Sequence, residues 1–287
     1  MPLNIDLAQR KQFALQIFDV EHGFSALFIA PSGESLLIDC GHNVTTGFRP
    51  SLYLPQLGFD PLTNRLSALA IANMDEDHVS DFLGVLRKVN PRVLYTNPSV
   101  TADVVYAAKR EGGVGTEVEG CLAAKRSIFT HAAGPIDWGG AMIRFFWLQY
   151  PLMDDTNNLS LVTYVECGSA RILFPGDLER AGWEWMLYVY GDAFKGILRK
   201  TNVFVASHHG REGGLCESVF QYCSPEIVVV SDEAVKYDSQ ASDYGRFSRG
   251  LSFTDGRFRK VVSTRNNGHI VVLGGINDVS WLWISKR

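Results

Sequence analysis

Apolar residues in this chain fall into short runs, and three of these runs stop at polar residues that can bind a metal. The runs cover residues 66–72, 170–174 and 202–206, and each has the length of a buried strand. The polar residues that follow them are Asn73, Asp75, Asp77, His78, Asp177, His208 and His209. Active sites of α/β proteins form where loops leave the ends of buried strands. The pattern therefore predicts that these residues meet at one metal centre.

The rest of the pattern predicts strands interleaved with helices. Alternating apolar positions predict strands at 13–19, 25–30 and 35–39, joined as an antiparallel meander. Apolar residues at helical spacing predict a helix over 80–89 with Ser80 as its cap, which would leave Asp77 and His78 in the preceding loop. Other predicted elements are helices at 101–111 and 179–190 and strands at 93–95, 142–148, 159–167, 170–174, 225–231, 269–273 and 279–284.

The chain has no internal repeat of solenoid length and no Pro/Ser-rich linker. We therefore expect one domain over residues 1–287, in which two packed sheets carry helices on their outer faces. The length of 287 residues and the hydrophobic fraction of 46% are sufficient for such a core. The net charge of −4 argues against a general nucleic-acid coat, so a phosphate substrate would need a local basic patch or a metal.

Location is predicted from what the sequence lacks. No apolar run approaches the roughly 18 residues of a membrane span, and the first ten residues show no apolar stretch of signal-peptide length. The five cysteines are scattered, and none forms a Cys-x-x-Cys pair. We interpret them as buried, reduced thiols of a cytoplasmic protein without a membrane partner.

Five motifs, taken in order, resemble the metallo-β-lactamase superfamily and, within it, the hydrolase domain of ComEC-type competence proteins. They are Phe18-Asp19-Val20 with Gly23, the Leu-Ile-Asp-Cys-Gly sequence at 37–41, Asp77-His78, Pro175-Gly176-Asp177 and Ser207-His208-His209-Gly210. The resemblance covers nearly the whole chain. It implies an α/β protein with a four-layer αββα sandwich, a metal site at one edge between the sheets, and hydrolysis by water, often of phosphodiesters.

The resemblance implies that one metal site keeps its ligands. These would be Asp77, His78, Asp177 and one residue of the His208/His209 pair, with His208 assigned as the ligand and His209 given a catalytic role. Two carboxylates and two imidazoles suit Zn²⁺, Mn²⁺ or Fe²⁺. We expect one or two divalent ions, Mn²⁺ or Zn²⁺ in the first place and Mg²⁺ as a further candidate.

The other site departs from the family pattern. The family motif His-x-His-x-Asp-His is here Asn73-x-Asp75-x-Asp77-His78, so the two leading histidines are missing. Asn73, Asp75 and Asp177 would offer oxygen atoms alone, which favours Mn²⁺ or Mg²⁺ over Zn²⁺. Three adjacent carboxylates are costly without a cation. Two alternatives stay open: a second ion binds, or Asp75 points to a basic side chain or to water.

A bound divalent ion would explain why the chemistry needs these residue types. Such an ion can lower the pKa of water from 15.7 to about 7, and Asp77 or Asp75 could then accept or orient the proton. The sequence thus predicts a metal-dependent hydrolase, a phosphodiesterase or nuclease that uses metal-bound hydroxide. A hydrolase of lactones or other esters, and an inactive relative that binds a partner or nucleotide, remain alternatives.

Two further sets of residues have open interpretations. Asp39 either accepts backbone hydrogen bonds in a turn or holds a ligand histidine in place. Basic and aromatic residues alternate late in the chain, which suits phosphate and base contacts but equally a solvated charged face. The basic residues are Arg246, Arg249, Arg257, Arg259, Lys260 and Arg265.

Overall fold

Two β-sheets pack face to face in the computed structural model, which describes residues 12–109, 112–131, 134–233, 241–253, 255–275 and 281–284. The strands, in chain order, are β1 (Gln12–Ile17), β2 (Ala26–Ile29), β3 (Ser35–Ile38), β4 (Ala68–Ala70), β5 (Val93–Tyr95), β6 (Met142–Phe146), β7 (Val162–Cys167), β8 (Ala170–Phe174), β9 (Val203–Val205), β10 (Ile227–Val230), β11 (Leu251–Ser252), β12 (Phe258–Arg259), β13 (Val261–Ser263), β14 (Ile270–Gly275) and β15 (Trp281–Ile284).

The first sheet has seven strands in the order β15-β14-β1-β2-β3-β4-β5, and the second has six in the order β13-β10-β9-β8-β7-β6. Strands β1, β2 and β3 pair antiparallel, which confirms the predicted meander. Strands β3, β4 and β5 run parallel to one another, as do β8, β9, β10 and β13. The carboxyl ends of these parallel strands carry the loops that build the site.

Helices and the space between the sheets complete the layers. The helices are α1 (Pro50–Tyr53), α2 (Glu76–Val79), α3 (Phe82–Val89), α4 (Ala102–Ala108), α5 (Thr116–Ser127), α6 (Arg180–Val189), α7 (Gly191–Lys200), α8 (Glu217–Phe220), α9 (Ala241–Phe247) and α10 (Thr264–Asn267). One apolar cluster lies between the sheets and includes Leu15, Phe28, Ile38, Ile172, Val205 and Val229.

Alternate strand residues turn outward and join apolar helix residues in a second cluster. Leu37 and Leu69 of the first sheet belong to it together with Phe82 of α3. Phe204 of the second sheet also belongs to it, and the centre of its ring lies 5.9 Å from the centre of the Trp183 ring of α6. Each sheet is therefore buried on both faces, which explains the unbroken apolar runs of its central strands. The predicted α/β fold, a four-layer αββα sandwich, is confirmed.

The start of the helix after the first metal motif was predicted wrongly. Asp77 and His78 lie on the one-turn helix α2, and α3 begins only after Asp81. The carboxylate of Asp81 accepts hydrogen bonds from the backbone amide and the hydroxyl of Ser51, which fixes the break between the helices. Ser80 does not cap α3, because its hydroxyl accepts from the amide of His42.

The sequence pattern did not lead to a prediction of two long helices, α5 and α7. Glycine and charged residues interrupt the apolar positions of α5, whereas α7 does carry apolar residues at helical spacing, Phe194, Ile197 and Leu198. The other predicted elements appear within a few residues of their expected bounds. Residues 110–111 and 279–280, at the ends of two of them, lie outside the described residues.

Candidate metal centre

Four side chains converge where the loops of the two sheets meet. They belong to Asp77 and His78 of α2, Asp177 after β8, and His209 in the turn after β9, and one ligand atom of each lies within 4.8 Å of the others. Three of these residues are buried, and the Asp77 side chain keeps 24% of its surface exposed. Motifs from the first half and from the second half of the chain therefore contribute to the same site.

His78 is oriented by Asp39. Its Nδ1 lies 2.8 Å from the Asp39 Oδ2 atom, and the other Asp39 oxygen accepts the backbone amide of Ala72 at 2.6 Å. Since Nδ1 donates its proton to this carboxylate, the Nε2 atom faces the cluster, 3.0 Å from Asp177 Oδ1. Of the two interpretations of Asp39, the structure favours the one in which it holds a ligand histidine.

His209 is oriented in the same way by a carbonyl group. Its Nδ1 donates to the backbone oxygen of Ser231 at 3.1 Å, and its Nε2 lies 3.2 Å from Asp77 Oδ2 and 3.6 Å from Asp177 Oδ1. The backbone at His208 and His209 is left-handed, with φ of 49° and 56°. Non-glycine residues of this kind cost about 1–3 kcal/mol each and occur most often at functional sites.

The donor set fits a divalent ion. The Nε2 atoms of His78 and His209 are buried and have no hydrogen-bond partner among the described residues, although carboxylates lie beside them. Imidazoles whose outer nitrogen is held by a hydrogen bond are the usual ligands of Zn²⁺ and related ions. Asp77, His78, Asp177 and His209 would hold the ion, which would acidify a water molecule and neutralise negative charge on a substrate.

The charges in the cluster are strongly coupled. Burial alone would lower the pKa of His78, but Asp177, Asp39 and Asp77 outweigh burial and raise this pKa well above its usual value. Burial likewise lowers the pKa of His209, while Asp177 and Asp77 raise it overall. Burial opposes ionisation of Asp177, yet His78 and His209 bring its pKa down to about 2. Both histidines therefore attract a positive charge, whether it is a proton or a metal.

His208, the predicted ligand, points away from the cluster. Its Nδ1 lies 3.3 Å from Glu179 Oε1, and its Nε2 accepts from Arg211 Nη1 at 3.2 Å. The same guanidinium contacts His22 Nε2 through Nη2. The ring of His22 lies 4.6 Å from the ring of His209. His208 and His22 thus hold an arginine beside the metal cluster, and His209 occupies the position expected for His208.

Asn73 and Asp75 form a neighbouring network instead of facing the cluster. Asp75 Oδ1 pairs with Lys109 Nζ at 2.5 Å, and Asp75 Oδ2 accepts from Thr156 at 3.0 Å and Asn73 at 3.1 Å. The Asn73 amide also donates to Asn157 Oδ1 and to Asp177 Oδ2. Lys109 and Thr156 carry no local sequence signal, since each reaches the site from a distant part of the chain, whereas Arg211 directly follows the motif that contains His208 and His209.

Two glycines allow α2 to approach the first sheet. A Cβ at Gly41 would lie 2.4 Å from the backbone oxygen of Asp77, and a Cβ at Gly23 would lie 2.6 Å from the same atom. The amide of Phe24 donates to that oxygen at 3.3 Å. The glycines of the first two motifs are thus required by the close packing of the segment that carries two ligands.

Gly41→Ala is expected to displace Asp77 and His78 and to lower both stability and metal affinity. The overlap with the Asp77 carbonyl requires a backbone shift, which costs about 1–3 kcal/mol. Chemical denaturation and metal titration of the variant would measure the two effects. Gly196→Ala in α7 is the matched control, because a Cβ there meets no atom within 4 Å. Equal behaviour of the two variants would contradict the packing argument.

The curated proteins that this chain matches are competence proteins, in agreement with the sequence motifs. No protein-family model matches the chain. It is 26% identical over 174 residues to ComE operon protein 3 of Bacillus subtilis (strain 168), a match that covers 58% of this chain and 20% of that protein. It is 24% identical over 233 residues to Competence protein ComA of Neisseria gonorrhoeae, covering 79% and 28%. The chain therefore spans less than a third of either relative.

The solved structures that resemble this chain have low sequence identity to it. A protein of Parabacteroides distasonis ATCC 8503 described as a metal-dependent hydrolase is 12% identical, with a TM-score of 0.45 and coverage of 87% of this chain and 92% of that one. CmlA, a diiron β-hydroxylase from Streptomyces venezuelae, is 14% identical, with a TM-score of 0.45 and coverage of 79% and 48%.

The layered architecture and the ordered motifs define the class of this protein. The chain is an α/β protein with a four-layer αββα sandwich and a candidate metal site at the strand ends. Within that class, its curated relatives are competence proteins of the ComEC type, as the motifs predicted.

Some expectations about location and surface have partial outcomes. No helix in the described part of the chain is long and apolar enough to cross a membrane. All five cysteines are buried free thiols, as predicted.

The late basic residues are largely engaged in ion pairs: Arg246 with Glu217 and Asp243, Arg249 with Glu226, Arg259 with Asp255, and Arg265 with Asp232. This arrangement favours the solvated charged face over a phosphate site.

Proposed function

We propose that this chain is a metal-dependent hydrolase of phosphodiesters, acting on a nucleic acid or a nucleotide. The observation that carries the proposal is the four-residue cluster in which His78 and His209 both present Nε2 to two carboxylates. Such a centre suits hydrolysis, because an ion with acidic and imidazole ligands activates water and offsets phosphate charge. The proposed chemistry depends on these four side chains, whether or not the chain is part of a longer protein.

Asp77 is the cluster residue best placed to contact a water molecule. It is the most exposed of the four cluster members, with 24% of its side chain accessible, while the side chains of His78 and His209 keep 1% and 3%. Burial raises the pKa of Asp77, but His78, His209 and His22 lower it overall, so its carboxylate stays ionised at neutral pH. We assign it the role of orienting the attacking water as a hydrogen-bond acceptor.

Arg211 is the residue that we assign to binding a phosphate group of the substrate. Its guanidinium contacts His208 and His22 beside the metal cluster. Burial and the neighbouring His209 hold the pKa of His22 at about 4, and burial lowers the pKa of His208. Both imidazoles are therefore neutral at pH 7 and add no positive charge next to the guanidinium. A guanidinium beside a metal centre suits bidentate binding of phosphate oxygens.

Hydrolysis of bis(p-nitrophenyl) phosphate by metal-loaded protein tests this function. We expect turnover with Mn²⁺ or Zn²⁺ that is lost in Asp77→Ala, and a higher KM in Arg211→Gln because the phosphate loses its charged partner. Arg246→Gln, on an exposed helix, is the matched control and should change neither kcat nor KM. p-Nitrophenyl acetate is the parallel substrate.

The outcomes separate the candidate functions. Cleavage of the acetate ester without cleavage of the phosphodiester would overturn the proposal in favour of a hydrolase of other esters. A protein that binds the ion yet cleaves neither substrate, nor single-stranded DNA, RNA or cyclic dinucleotides, would identify an inactive relative.

A further inference from the structure

We propose that the centre holds a single divalent ion, and that the position of a second ion is filled by the chain itself, through Lys109, Asp75 and Asn73. The inference deepens the proposed function and rests on the same cluster. It departs from the two-ion arrangement that the sequence left open.

Asp177 shows where a second ion would have to bind. Its Oδ1 atom faces the cluster, 3.0 Å from His78 Nε2, and its Oδ2 atom lies 3.3 Å from Asn73 Nδ2. An ion shared through this carboxylate would need the space next to Oδ2. That space contains an amide NH₂ group, which donates hydrogen bonds and has no lone pair for a metal.

The orientation of the Asn73 amide is set by its surroundings. Its Nδ2 atom lies within 3.3 Å of three acceptors, which belong to Asp75, Asn157 and Asp177. The opposite orientation would place Oδ1 against three oxygen atoms, an arrangement that requires a cation between them. Asn73 is 2% exposed, and its Oδ1 atom has no partner within the described ranges, so its donor side alone holds it.

Lys109 supplies the positive charge that this network needs. Its Nζ lies 2.5 Å from Asp75 Oδ1, and the two side chains are only 17% and 27% exposed. The second Asp75 oxygen is occupied by Asn73 and Thr156. The carboxylate that would bind a second ion is thus fully engaged, and an incoming cation would have to displace an ammonium group.

Charge balance supports one ion. Asp39, Asp77 and Asp177 carry three negative charges in and beside the cluster, and Arg211 adds one positive charge, so one divalent ion balances them when His78 and His209 are neutral. Asp75 and Lys109 neutralise each other. A second divalent ion would leave two excess positive charges in a largely buried site, and such unbalanced charge is strongly unfavourable there.

Metal stoichiometry tests the inference without relying on activity. The full chain is stripped of metal, incubated with excess Zn²⁺ or Mn²⁺, passed through a desalting column and analysed for bound metal by mass spectrometry. We expect one ion per chain for the wild type and for Asp75→Asn, since Asp75 is not a ligand. Two ions in the wild type, or loss of the ion in Asp75→Asn, would overturn the inference while leaving a metal-dependent hydrolase possible.

A double variant tests whether these residues exclude the second ion. Asn73→His with Lys109→Met adds an imidazole and frees Asp75, so we expect a second, weaker ion. Asn73→His with Lys88→Met, which removes an exposed lysine from α3, is the matched control and should stay at one ion. A folded double variant that binds only one ion would contradict the role of Lys109. One bound ion without phosphodiester cleavage would instead count against the proposed function alone.

Discussion

His209→Ala is expected to weaken metal binding by at least about 100-fold, whereas His208→Ala is expected to keep the ion. Only the His209 Nε2 atom of this pair faces Asp77 and Asp177. Loss of a residue that merely orients a ligand already costs 10–100-fold in affinity, so loss of a ligand costs more. Isothermal titration with Zn²⁺ measures both variants directly.

The adjacent position makes His208→Ala a closely matched control. Both residues lie in the same left-handed turn, and alanine keeps the Cβ that strains this backbone, so the two substitutions leave similar backbone strain in place. His208→Ala should act on Arg211, and its effect should appear as a higher KM for a phosphodiester rather than as loss of metal. If the two variants bound Zn²⁺ equally, the geometry of the turn would not describe the working site.

Metal affinity is expected to rise steeply with pH, by up to two powers of ten per pH unit. The pKa of His78 and that of His209 are both raised, so in the metal-free chain both imidazoles carry protons that an ion must displace. Asp177, with a pKa of about 2, and Asp77, whose pKa is also lowered, stay ionised and add no proton near neutrality. Titrations at pH 6 and pH 8 in two buffers of different ionisation enthalpy would count the protons released.

The stability of the metal-free protein, in contrast, should fall as pH rises. Ion pairs of the protonated histidines stabilise the fold fully below the ordinary histidine pKa of about 6.5 and are lost as pH rises through the raised values. Thermal unfolding with and without Zn²⁺ should therefore show a metal-induced rise in Tm that grows from pH 6 to pH 8. An affinity that does not change with pH would mean that the histidines bind the ion without losing protons, which contradicts this account.

Much of the fold was accessible from the sequence because its signals are local. The meander of β1–β3 alternates clearly, and the buried strands β8 and β9 end at the residues that form the site. Helix α5 was missed because its apolar positions are weakly patterned and its stability comes from tertiary packing. Helix α7 was also missed, although Phe194, Ile197 and Leu198 carry a local signal at helical spacing. The single-domain expectation stays a prediction.

The candidate site was predictable in its membership but not in its orientations. Strand ends indicated Asp77, His78 and Asp177, whereas the choice between His208 and His209 depends on two consecutive left-handed residues. Asp75 is held by Lys109, a residue 34 positions further along the chain, so no motif could reveal the pair. The catalytic and ligand roles given to these residues remain predictions that the variants above address.

The four cluster residues also divide evenly between the two sheets. Asp77 and His78 follow strands of the first sheet, and Asp177 and His209 follow strands of the second. An ion bound there would cross-link the sandwich at this edge, so every gain in ion affinity adds to the free energy of unfolding of the whole fold. Selection for tight metal binding would then also select for thermal robustness, and chelation would remove both at once.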